Sequence, residues 1–138
     1  MKKTVIWIII IILIIGFTLF LFAKKGNGIA QYKDLIRVTA PLPNSRISSP
    51  LTIKGEARGN WYFEASFPVK LLDGNGNQIA IIPAQAQGEW MTRDYVPFEI
   101  TLIFNQPNAP TGTLVLEKDN PSGLPEHADE FRIPVRFR

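Results

Sequence analysis

The sequence predicts an all-β domain behind one apolar N-terminal span. Three observations carry this expectation. Beyond Tyr32, apolar and polar residues alternate with a period of two. Clusters of Gly, Pro, Asn and Asp cut that pattern into short runs. Residues 4–23, TVIWIIIIILIIGFTLFLFA, carry no charge. Period two is the mark of a strand with one buried face, because successive side chains point to opposite sides.

The apolar run comes first. At about 1.5 Å per residue it makes a helix of about 30 Å, the thickness of a bilayer core. Lys2 and Lys3 precede it, and Lys24 and Lys25 follow it. A cleaved leader has a shorter apolar region and small residues around its cut site. Here the run ends Leu21-Phe22-Ala23-Lys24, and the chain has no cysteine to carry a lipid. The expectation is a cytoplasmic tip at residues 1–3, a transmembrane anchor at 4–23 and a linker at 24–31, KKGNGIAQ. One β-domain follows at 32–138, placed outside the cytoplasmic membrane. The flanking lysines balance, so the positive-inside rule does not set the orientation.

Charge excludes one class of function. The whole chain has a net charge of +3, but from Gly26 onward it holds eleven Lys/Arg and twelve Asp/Glu. The basicity belongs to the ends of the apolar run, where lysines meet lipid headgroups. No basic stripe of the kind a nucleic-acid binder needs is present. Without cysteine there is no disulfide and no thiolate chemistry, so the domain rests on its core.

The clearest strand is the last. Phe131, Ile133, Val135 and Phe137 alternate with Arg132, Pro134, Arg136 and Arg138. Pro134 donates no ladder hydrogen bond, which predicts an edge position or a bulge. VPFEITLIF places Phe98, Ile100, Leu102 and Phe104 on one face, and LTIKGEA does the same with Leu51, Ile53, Gly55 and Ala57. LIRVT, GTLVLE and QIAIIPAQA are further strands, the last weakened by Pro83. Residues 61–72 read as one more, with Trp61, Phe63 and Phe67 on one face and Tyr62, Glu64 and Ser66 on the other. DGNGN suits a tight hairpin, since Gly and Asn accept positive φ. PLPNSRISSP and NQPNAPTG read as loops. About seven short strands in about 100 residues predict an immunoglobulin-like β-sandwich. The Cys…Trp…Cys spacing of antibody domains is missing.

Candidate sites follow from the same pattern. Glu64 lies among aromatics, but alternation assigns it to the polar face, with no second carboxylate as a catalytic partner. Asp73, Asn75 and Asn77 match the start of a calcium loop. Gln78 and Ala84 then stand where that loop needs Gly and a bidentate Glu, so the hairpin is preferred. Residues 117–131, EKDNPSGLPEHADEF, are rich in acid and long for a hairpin. Asp119, Asn120 and Glu126 are its candidate partner-binding residues, with turn formation as the plainer role for Asp119-Asn120-Pro121. His127 is the only histidine, so it cannot build a zinc site, and Ser122 sits in NPSGL, not in a nucleophile elbow. No cofactor or metal is expected. Trp90, beside Met91, is either a core anchor or an exposed platform. With Tyr62 and Tyr95 it makes an aromatic surface if all three share one face.

Three segments together resemble a bacterial family, the immunoglobulin-like domain of bacterial spore germination. They are IRVTAPLPNSRISSPLTIKGEARGNWYFEASFPVKLLDGNG, GEWMTRDYVPFEITLIF and PTGTLVLEKDNPSGLPEHADEFRIPVRF. The resemblance spans residues 36–137. It implies a non-enzymatic, extracytoplasmic β-sandwich carried on a membrane anchor or beside a germination-related module. The expected function is a membrane-anchored module of the bacterial cell envelope that binds or scaffolds another envelope protein. Binding of wall glycan is the alternative.

Overall fold

The computed structural model describes residues 32–138. Its strands are β1 (Tyr32–Lys33), β2 (Ile36–Ala40), β3 (Arg46–Ile47), β4 (Leu51–Arg58), β5 (Ser66–Asp73), β6 (Gln78–Gln85), β7 (Tyr95–Leu102), β8 (Thr111–Glu117) and β9 (Glu130–Phe137). Two single-turn 3-10 helices, Gly59–Trp61 and Pro125–His127, interrupt them. Each of the seven runs expected from alternation contains a strand, although that in residues 61–72 begins only at Ser66. The additional β1 and β3 have two residues each, too few to alternate. The anchor and linker expected at residues 1–31 lie outside the described residues. Among the described residues no helix is long and apolar enough to cross a membrane.

The strands form two sheets, ordered β1-β2-β4-β7 and β3-β9-β8-β5-β6. Each buries one face against the other, as a sandwich requires. Ile36, Val38, Ile53, Ala57, Phe98 and Leu102 point inward from the first sheet, and Phe67, Val69, Leu71, Leu114, Leu116 and Ile133 from the second. Phe67 sits at the centre, with edge contacts to Tyr62 and Phe98 at 5.1 Å between centroids and to Trp61 at 6.5 Å.

Two residues on the outer face of the second sheet show how it is finished. Pro134 lies within β9, and its carbonyl accepts from Asn44 N at 2.7 Å. The same side of β9 meets β3 only from Arg136 onward, so the missing proline N–H interrupts no ladder. Val115 is buried on the outer face of its sheet. Its cross-strand neighbours are Lys70 and Arg132, whose aliphatic stems cover it while their charges pair with Glu117 and Glu130.

The reading of residues 61–72 as one strand is corrected here. Trp61 ends a 3-10 turn and β5 starts only at Ser66. Between them, Phe63 and Ser66 exchange backbone hydrogen bonds of 2.9 and 3.1 Å around Glu64 and Ala65. Both central residues have positive φ, 48° and 62°, which makes a type I′ hairpin turn. The turn breaks the alternation, so Tyr62 is buried and Phe63 is exposed, the reverse of the period-two assignment.

The sandwich has two distinct ends. At the near end Tyr32 joins the sheet, Arg58 N donates to Leu35 O, and Asp119 N donates to Trp61 O. Residues 59–65, 86–94 and 118–129 cluster there. The far end carries the 73–77 hairpin, the 41–50 and 103–110 loops, and Phe137.

Candidate functional site

All seven candidate residues fall at the near end, but they do not form one surface. Tyr62 is a core residue. Its ring packs on Phe67, and its hydroxyl donates to Val96 O at 2.7 Å. Burial pushes its ionisation far above the ordinary phenol range, with the carboxylate of Glu56 adding to the shift. The aromatic platform of Tyr62, Trp90 and Tyr95 is therefore not built as expected, because the Tyr62 ring is spent on the core. Tyr95 belongs to the outer face of the first sheet, where its hydroxyl donates to Asp34 O at 2.9 Å. Two guanidinium groups stand against its ring, Arg37 at 3.9 Å and Arg58 at 4.0 Å from the centroid. Those cations occupy the surface a sugar ring would stack on.

Glu64 stands exposed on the tip of the type I′ turn. It is not beside Tyr62. Asn120, Ser122 and His127 staple the acidic loop. Asn120 Nδ2 donates to Leu124 O at 2.9 Å, and Ser122 Oγ donates to Asn120 Oδ1 at 2.6 Å. Ser122 Oγ also lies 3.1 Å from His127 Nδ1. A hydroxyl has one proton, and here it goes to Asn120. The Ser122–His127 contact thus lies within the same local network that shapes the loop. Glu126 is exposed in the 3-10 turn, and Asp119 is held through its backbone. Among the described residues no three His, Cys, Asp or Glu side chains converge as a metal site would require.

Trp90 is the candidate that lines an open site. It is half-buried and packs against the core, while Met91 beside it is 74 % exposed. Together with Asn60, Tyr62, Thr92 and Arg93 they border a groove of about 400 Å³. A second groove of about 370 Å³ adjoins it, sharing Asn60, Thr92 and Arg93 and adding Leu35 and Arg58. Trp90 thus packs on the core on one side and borders the groove on the other.

The loop that carries Trp90 is held on several sides. Gln87 N donates to Pro97 O at 2.8 Å, which ties it to β7. Thr92 N donates to Trp90 O at 2.8 Å, and Asp94 N to Thr92 Oγ1 at 3.1 Å. Gly59 N donates to Asp94 O, and the Arg58 guanidinium reaches Arg93 O at 3.1 Å. A Cβ on Gly59 would stand 2.1 Å from Thr92 O and 2.2 Å from Trp90 O, so the loop needs glycine beneath it. Alternation could not find Asn60, Arg58 or Arg93, because the groove joins a turn after β4 to a loop some thirty residues later. Its only sequence mark was the Trp90-Met91 pair.

Two twisted sheets face to face, with mainly antiparallel pairing and one short parallel contact, define an immunoglobulin-like β-sandwich. The match to a known family covers residues 35–123, more than half of the chain. The chain belongs to that family, the immunoglobulin-like domain of bacterial spore germination. No curated protein and no solved structure matches it significantly.

Proposed function

We propose that the protein is a non-enzymatic binding or scaffolding module of the bacterial cell envelope. In this reading residues 4–23 anchor it in the cytoplasmic membrane, and the sandwich stands outside and engages another envelope protein through the Trp90–Arg93 groove. The single observation that carries the binding role is Met91, left 74 % exposed on a loop fixed from several sides. A rigid groove with an aromatic wall, a thioether and a guanidinium suits an apolar or aromatic side chain followed by an acid. Glycan binding is less favoured, since Tyr62 and Tyr95 are both committed elsewhere.

The absence of cysteine makes the test clean. Met91→Cys in the full chain should react with a membrane-impermeant maleimide on intact cells from which the wall has been removed. A photo-crosslinker at Met91 should capture one defined protein, and the adduct should weaken when Arg93→Glu is added. Labelling only after lysis would overturn the extracytoplasmic placement. A crosslinking pattern no different from that of a probe at Ile81, on the edge strand β6, would overturn the groove.

A further inference from the structure

The far end of the second sheet carries a charge arrangement that the near-end groove does not use. Along β9 the outward residues are Glu130, Arg132, Pro134 and Arg136, and Arg138 follows just past its end. The acid lies only at the start. Glu130 pairs with Arg132 at 2.6 Å, and Glu117 pairs with Lys70 at 2.7 Å. Toward the far end no such partner follows. Arg46 on β3 stands directly across from Arg136 in the parallel register, on the same exposed face. Adjacent strands are about 4.8 Å apart, so like charges in register repel and destabilise the sheet. Among the described residues Arg46, Arg136 and Arg138 take part in none of the ion pairs.

A groove of about 450 Å³ opens beside this cluster. Asn44, Thr111, Thr113 and Arg136 border it with hydrogen-bonding groups, over a floor that includes Leu72 and Pro134. Asp73 also borders it, but its carboxylate is turned to the hairpin. Oδ1 accepts from Asn75 N and Asn77 N, and Oδ2 from Asn77 Nδ2, at 2.8 to 3.0 Å. Two threonine hydroxyls, the Asn44 amide and the Arg136 guanidinium make a donor set for a tetrahedral oxyanion, with Arg132, paired to Glu130, also on the wall and Arg46 just outside it. The volume lies within the range of small-ligand sites.

We propose that this groove binds a phosphate ester, with Arg136 as the cation on its wall, Thr111 and Thr113 as hydroxyl donors, and Arg46 adding positive charge from beside the groove. A bound phosphate relieves the Arg46–Arg136 repulsion that the free sheet carries. The inference is independent of the near-end partner, because the two sites lie at opposite ends of the sandwich.

The test is an NMR titration of the full chain in detergent micelles at fixed ionic strength. Inorganic phosphate, glycerol phosphate and long-chain polyphosphate are the probes, and polyglutamate is the control. Saturable shifts are expected at the amides of Asn44, Thr111, Thr113 and Arg136, with roughly tenfold or greater loss of affinity in R46Q/R136Q. Saturation by glycerol phosphate assigns a small ester as the source, whereas saturation by polyphosphate alone, a phosphoanhydride chain, overturns the ester. The melting temperature of Arg46→Gln without phosphate should equal or exceed that of the parent, since a repulsion is removed. Should the double variant fold poorly, Arg46→Gln alone carries the same test with a smaller loss. No saturable shift, an unchanged affinity in the variants, or an equal response to polyglutamate overturns the proposal.

Discussion

Tyr62 holds the first sheet to the turn that precedes β5. Its hydroxyl is the donor for Val96 O in a buried setting, so Tyr62→Phe leaves that carbonyl without this bond. The expected cost is about 1–2 kcal/mol, read from urea unfolding of the two proteins. Its ionisation is raised by burial, so the folded state favours the neutral phenol. The sign follows: this contribution is complete below the ordinary phenol range near pH ~10 and is lost as pH climbs toward the raised folded value. Tyr62→Phe should therefore show a shallower alkaline loss of stability than the parent. Glu64 and Ala65 present the opposite case. Both sit at positive φ without being glycine or asparagine. Replacing the pair by Asn-Gly, the preferred type I′ sequence, should stabilise the domain by roughly 1–2 kcal/mol. If the substitution lowers the unfolding midpoint, the Glu64 side chain makes a contact beyond the turn.

The loops between strands are where element-scale effects appear. Gly59→Ala drives a methyl into the carbonyls of Thr92 and Trp90, and backbone on both sides leaves no flexible atom to yield. The expected loss is about 1–3 kcal/mol, with a red shift of tryptophan emission that disappears when Trp90→Phe is added. The 73–77 hairpin answers to pH instead. Hydrogen bonds from the Asn77 side chain, then from the backbone of Asn77, Asn75 and Gly76, hold the Asp73 carboxyl below its usual value. A depressed folded value means that the stabilisation is present above the unfolded carboxylate range near ~3.9 and fades as pH falls through the lower folded one. Asp73→Asn should therefore melt below the parent at pH 7, and the gap should narrow as the pH is taken below the ordinary carboxylate range; a gap independent of pH would rule out the charge as its source. These two loops also mark what the sequence made legible. DGNGN announced its turn because Gly76 and Asn residues have one strong local use, and Gly76 does take φ of 85°. The 63–66 turn was hidden because Glu and Ala rarely adopt the positive φ that a type I′ turn needs. Its geometry is imposed by the core, which takes Trp61, Tyr62 and Phe67 together and so forces the chain to reverse within four residues. The same long-range packing joins Asn60 to Arg93, which no local pattern reports. In β4, β7 and β9, where one strand lies flat on the core, period two assigned the inward residues correctly.

At the scale of the whole molecule, β9 decides whether the sandwich exists. The family match ends at residue 123, yet β9 lies inside the second sheet, antiparallel to β8 along its length and parallel to β3 at Arg46 and Ile47. It buries Phe131, Ile133, Val135 and Phe137. At about 1.5–3 kcal/mol for each large apolar side chain, the four contribute roughly 6–12 kcal/mol of burial, comparable to the entire stability of an ordinary domain. Their loss also uncovers one edge of β8 and the inward faces of Leu114 and Leu116, a template for strand-to-strand aggregation. A chain cut after residue 123 should therefore fail to unfold cooperatively and should bind a hydrophobic dye, whereas the uncut chain should show a single transition. Adding the peptide of residues 124–138 in trans should restore the transition, because the missing strand re-enters an open slot between β3 and β8. A truncated chain that melts as sharply as the parent would mean that the first sheet and β5, β6 and β8 form a stable unit alone. In that case β9 would be an addition to the fold and not its keystone.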